Sequence, residues 1–196
     1  MKDHVGPIER ELRRYKTLAE NAMAQVDESA LNRAAPGFNN SIAMLVWHIS
    51  GNLKSRFTDF LTTDGEKPWR HRDEEFVSRS VTRAELLAKW EDGWGMLLTT
   101  LAALEDDDLT RTIAIRQEQM SAEAALYRVL GHVAYHVGQI VYLAKAASGD
   151  AWTFLTIPPG KSEEFNRSPA AASLSSDPAP AKSAPPEHTT RPIAKR

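Results

Sequence analysis

The chain has 196 residues, a formal charge of −2 and an ordinary hydrophobic content, enough for one domain with a substantial core. It contains no cysteine, so disulfides, iron–sulfur clusters and a thiol nucleophile of its own are excluded, and any metal must be held by histidine nitrogen or by oxygen. The near-neutral charge gives no footprint for nucleic acid, no apolar run reaches the ~18 residues of a membrane span, and the start "MKDHVGPIERELRRYK" lacks the apolar segment of a signal peptide. These features predict a cytoplasmic protein with neither nucleic-acid nor membrane partners.

A first helix is predicted over about residues 7–27, opened by Pro7, with apolar positions at Ile8, Leu12, Tyr15, Leu18, Ala22 and Val26. "APGFNNS" is a loop from which Asn39, Asn40 or Ser41 can cap a second helix running to about Leu61. Gly65 and Pro68 break the pattern. Thr82 and Glu85 have the spacing of a capping box, opening a third helix to about Leu104, with Gly93 and Gly95 marking weakness or close packing. The connection that follows allows a short extended piece at Thr112–Ile115. Ser121 begins a fourth helix that ends before "SGD" at Ser148, where Gly149 suits a C-terminal stop. Four amphipathic helices without a convincing strand pattern predict an all-α four-helix bundle over residues 1–166. Residues 167–196 hold six of the eleven prolines, no aromatic residue and a net charge of +3, a composition that predicts a disordered tail.

The fourth helix carries "GHVAYHVGQI". His132 and His136 stack one turn apart at the edge of its apolar arc, so their imidazoles could share one ion at ~2.0–2.1 Å. On the second helix His48, Asn52, Ser55 and Asp59 follow one edge of the apolar face, and Arg56 falls inside the core-facing arc. So many polar groups at a seam need partners or a polar pocket. Hydrogen-bonded core histidines would satisfy the same spacing, and the pattern alone leaves both readings open.

"MLVWHISGN" with "HVAYHVGQI" resembles the DinB-like superfamily of four-helix bundles, and "WHISGNLKSRFTDFLTTDGEKPWRHRDEEF" with "FLTIPPGKSEEFN" resembles an uncharacterised bacterial branch of it, over roughly residues 5–166. The resemblance implies that His48, His132 and His136 bind a divalent metal, zinc, nickel, iron or manganese. It also implies a homodimer, for which Trp90, Trp94 and Leu97 are candidate contacts or core. It further implies thiol-dependent transfer as one chemistry of the superfamily.

The residues restrict that chemistry. Val133 stands where H-E-x-x-H has its glutamate, which removes the protease base, and there is no Glu-x-x-His pair, nucleophile elbow or phosphate-binding loop. Acid–base groups could come from Asp59, Glu66, Asp73, Glu74 or Glu75. Trp69 and Phe76 could dock the charged loop over the bundle mouth and leave Arg70 and Arg72 to meet an anion, or those arginines could pair with Glu74 and Glu75. Trp152, Phe154 and Ile157 call for burial of the segment after the fourth helix. Asn52 and Arg56 are placed to bind a small-molecule substrate, in particular a low-molecular-weight thiol bearing a carboxylate. The expectation is a metal-dependent transferase or hydrolase. A non-catalytic metal-binding or stress-associated protein is the alternative, and a helical adaptor is a third.

Overall fold

The computed structural model describes residues 4–34, 37 and 39–167. Its helices are α1 (Val5–Met23), α2 (Glu28–Asn32), α3 (Ile42–Phe57), α4 (Arg83–Ala103), α5 (Ala122–Ser148) and α6 (Ser162–Arg167). Two strands, β1 (Thr112–Ile115) and β2 (Glu118–Ser121), form one antiparallel hairpin between α4 and α5. The long helices α1, α3, α4 and α5 make a four-helix bundle in which α3 lies on α4, α1 lies on α5, and α3 also meets α5. Among the described residues, no helix is long and apolar enough to cross a membrane.

The expected caps form. Ser41 Oγ accepts from the Met44 amide at 3.2 Å, Ser121 Oγ from the Ala124 amide at 3.1 Å, and Thr82 and Glu85 close a capping box. Gly149 takes a positive φ of 53° where α5 stops.

Several boundaries differ from the sequence reading. The first helix ends at Met23 instead of running to residue 27, because Asp27 accepts from the Ala30 amide at 2.7 Å and starts the separate helix α2. The second helix ends at Phe57, not Leu61: Thr58 is extended, and Asp59 has a φ of 50°. The connection before α5 holds two strands, not one extended piece. Arg167 closes α6 and so belongs to a helix; the rest of the predicted tail, residues 168–196, lies outside the described residues.

Trp90, Trp94 and Leu97 are fully buried and belong to the core, which removes them as dimer contacts. Gly93 explains how α4 approaches so closely: a Cβ there would lie 2.5 Å from Ser50 Cα on α3. Trp152 packs on the core, whereas Phe154 and Ile157 remain more than a third exposed. The segment is pinned instead by Gln25, whose side chain accepts from the Thr153 amide at 2.7 Å and donates to the Thr153 carbonyl at 3.0 Å.

The hairpin departs from ordinary turn chemistry. Its central residues, Arg116 and Gln117, have φ values of 54° and 66° although neither is glycine. A two-residue hairpin loop wants such angles, but a side chain there costs roughly 1–2 kcal/mol. Asp64 offsets that cost. Its Oδ1 accepts from the Arg116 amide and its Oδ2 from the Gln117 amide, each at 2.8 Å.

Candidate metal centre

α3 and α5 cross where His48 faces His132 and His136. One nitrogen from each ring lies within 4.8 Å of the others, and the His48 and His132 Nε2 atoms are 3.1 Å apart. Two nitrogens bound to one tetrahedral ion at ~2.0–2.1 Å would be about 3.3–3.4 Å apart, close to the His48–His132 separation.

The far side of two rings is fixed. A carboxylate can only accept, so His48 Nδ1 donates to Glu75 Oε2 at 2.8 Å and presents a bare Nε2 to the centre. His136 Nδ1 donates to Gln139 Oε1 at 2.7 Å, which leaves its Nε2 free in the same way. This is the carboxylate- or carbonyl-backed arrangement that orients metal-binding histidines. His132 Nδ1 is buried without a hydrogen-bond partner.

Burial favours the neutral ring at His132 and His136. Burial, then His136 and His48, with Arg70 and Arg56 beyond them, push the His132 pKa down to about 3. Burial also lowers that of His136, against the opposing hydrogen bond that its Nδ1 donates to Gln139. Neutral imidazole is the form that can ligate.

Glu75 is itself held. Arg70 Nε donates to its Oε1 at 2.8 Å and Arg70 Nη2 to its Oε2 at 2.9 Å, while Arg70 Nη1 reaches Ser55 Oγ at 3.3 Å. Burial alone would raise the Glu75 pKa, but the hydrogen bonds from His48 and Arg70 outweigh it and hold the carboxyl below its ordinary value. Gly51 makes room for it, since a Cβ there would sit 2.1 Å from Glu75 Oε1.

Phe76 docks against the His48 ring at 4.7 Å between centroids, but Trp69 stays 46% exposed and does not cover the bundle. Arg70 is buried on Glu75, whereas Arg72 is exposed and lies over the Phe76 ring at 5.0 Å. Asn52 and Arg56 line a cavity of about 240 Å³ that His132 also borders. Arg56 Nη1 donates to the Gly65 carbonyl at 2.6 Å and to Glu66 at 3.0 Å. Of the acids considered, Asp59, Asp73 and Glu74 are exposed, Glu66 pairs with arginines, and Glu75 alone supports a histidine.

The sequence allowed an Arg70–Glu75 pair, which forms, but did not link it to His48, nor show the need for Gly51 or Arg116 and Arg128 on the cavity wall. Gly51, three residues after His48 inside a helix, was the one visible signal. The set His48, His132 and His136 can hold a metal ion.

No curated protein and no solved structure matches the chain. A family model does, over residues 2–161, and its description is a protein of unknown function, DUF1572. The chain belongs to the DUF1572 family.

Proposed function

We propose that the chain is a DinB-like divalent-metal protein and acts as a metal-dependent transferase or hydrolase on a small molecule, with thiol-dependent transfer as the leading chemistry. The observation that carries this reading is the three-histidine cluster, of which His132 borders a cavity also lined by Asn52 and Arg56. When bound, a divalent metal held by neutral imidazoles supplies a Lewis acid that favours an anionic oxygen or sulfur ligand. The protein's own residues do the rest. Glu75 and Gln139 hold two rings in register, Phe57 and Phe60 give the cavity an apolar wall, and Asn52 offers an amide to a bound molecule. The chain has no cysteine, so sulfur must arrive on the substrate.

Elemental analysis of the purified protein tests the centre. His48→Ala, His132→Ala and His136→Ala should each lower bound metal by at least an order of magnitude, and His4→Ala should not. Cobalt-substituted protein tests the chemistry: 3-mercaptopropionate should add an intense near-ultraviolet charge-transfer band. Metal binding without that band for any of several thiols would leave hydrolysis or a non-catalytic role.

A further inference from the structure

The cavity beside His132 carries three arginines, of which only Arg56 stands on α3. Arg116 comes from the hairpin tip and Arg128 from α5. Arg56 and Arg116 both donate to the same oxygen, Glu66 Oε2, at 3.0 and 2.7 Å, and Arg128 pairs with Glu118 at 2.9 Å. The three guanidiniums thus bond two carboxylates, and Asp64 is a third carboxylate near enough to Arg56 to interact with its charge. Arg116 uses Nε for Glu66, and among the described residues its two Nη groups have no protein partner.

The backbone is arranged to put Arg116 there. Both tip residues adopt positive φ without being glycine, and a strained conformation persists only where its surroundings enforce it. Asp64 enforces it through the two tip amides. The Gly65 amide adds a bond to the Ala114 carbonyl at 2.8 Å, and a Cβ on Gly65 would press on Arg56 Cδ at 3.0 Å and Ile115 Cγ1 at 3.1 Å. The hairpin, the 64–66 segment and Arg56 therefore lock together around one wall of the cavity.

We propose that Arg116 is a specificity-determining residue that, with Arg56, binds a carboxylate on the substrate, and that Asp64 is its positioning residue. The ligand class is a small carboxylate-bearing molecule whose other end reaches the histidine cluster. A guanidinium fork with free Nη donors matches a planar carboxylate, which a lysine at the same place would not. The inference rests on reading this cavity as the substrate site.

Calorimetric titration of full-length, zinc-loaded protein with mercaptosuccinate tests it, with 2-mercaptoethanol as the uncharged control. Arg116→Gln should raise the Kd for mercaptosuccinate about tenfold and leave that for 2-mercaptoethanol within twofold, with zinc content unchanged. Arg116→Lys should recover part of the loss, and Asp64→Ala should weaken the charged ligand selectively. An unchanged Kd in Arg116→Gln, or equal weakening of both thiols, would overturn the assignment. A sulfur-free arm separates this claim from the metal reading. Succinate titrated into the isotope-labelled full chain should shift the Arg116 Nε–H resonance whether or not any thiol binds zinc. If that resonance stays still, Arg116 is not the carboxylate site; if it shifts while no thiol binds, only the thiol chemistry fails.

Discussion

Glu75 sits between two groups that need it: His48, whose ring it orients, and Arg70, whose buried charge it neutralises. Removing it should therefore have two separable effects. Glu75→Ala should lower metal affinity by about 10–100-fold, the usual consequence of losing such a hydrogen bond to a ligating histidine. It should also destabilise the fold by about 3–5 kcal/mol, because Arg70 is left buried and unpaired. Gly51→Ala gives a cleaner reading. The added methyl meets Glu75 Oε1, a carboxylate that three hydrogen bonds hold in place, so it should displace that group and weaken metal binding while keeping both charges. Competition against a chelator measures the affinity and urea unfolding the stability. If Gly51→Ala binds metal as tightly as the parent, Glu75 does not tune the centre. At this scale the sequence was half legible. Histidines four residues apart on an amphipathic helix announce their shared face, but no local spacing links Glu75 to His48, 27 residues away, because that contact depends on how the intervening loop folds.

At the level of elements, the two glycines of α4 look alike in sequence and differ entirely in surroundings. A Cβ on Gly93 would meet Ser50 Cα at 2.5 Å and its carbonyl oxygen at 2.8 Å, backbone atoms that can retreat only if α3 and α4 separate. Gly93→Ala should cost about 1–3 kcal/mol, as overpacking does. Gly95 has no atom within 4 Å of such a Cβ, so Gly95→Ala should stabilise by about 0.5–1 kcal/mol through helix propensity alone. Opposite shifts of the urea midpoint are expected, and shifts of the same sign would contradict the packing argument. The hairpin allows a third substitution. Gln117→Gly should relieve the strain of a φ of 66° and stabilise by up to about 1 kcal/mol.

The same hairpin gives a pH dependence. Hydrogen bonds from the Glu66 amide, then from the Gln117 and, more weakly, the Arg116 amide hold the Asp64 pKa below its ordinary value of 3.8. The stability this contributes is present above pH 3.8 and is lost as pH falls through the lowered folded-state value. Amide exchange at residues 116 and 117 should accelerate over that acid range, and Asp64→Asn should abolish the dependence. The second strand was hidden from the sequence because "EQMS" has no apolar alternation and Arg-Gln is not a usual turn pair. Asp64, 52 residues before Arg116, supplies what the turn lacks.

On the scale of the whole molecule, helical periodicity and capping residues identified the four long helices, because each buries one apolar face and α3, α4 and α5 begin at Ser41, Thr82 and Ser121, whereas α1 has no side-chain cap. Their packing partners were less legible: Trp90, Trp94 and Leu97 read equally well as surface contact or core, and the fold buries them completely. The exposed aromatic face lies elsewhere. Tyr127, Tyr135 and Tyr142 are each more than half exposed and fall within about 80° of arc on α5. If the chain forms a homodimer, this face is the better candidate. Light scattering should then give twice the chain mass at micromolar concentration, and Tyr142→Glu should return the monomer mass. A dimer unaffected by that change would place the interface on another surface.

The metal should act on the bundle as a whole, because its ligands come from two elements. His48 is on α3 and the other two histidines on α5, and these helices meet less extensively with each other than α3 does with α4 or α1 with α5. An ion bound to all three therefore ties together a weaker seam. By mass action, zinc at one hundred times its Kd should stabilise the folded chain by about 2.7 kcal/mol, provided the unfolded chain binds it weakly. For a folded unit of this size, that should raise the melting temperature by roughly 5–10 °C, at 2–4 °C for each kcal/mol. Chelation should reverse the shift. The gain should be absent in His48→Ala, even though that variant retains the one-turn histidine pair, because two ligands on one helix no longer bridge the seam. A full thermal shift in His48→Ala would mean that the ion is held by α5 alone, and the three-histidine centre would be wrong.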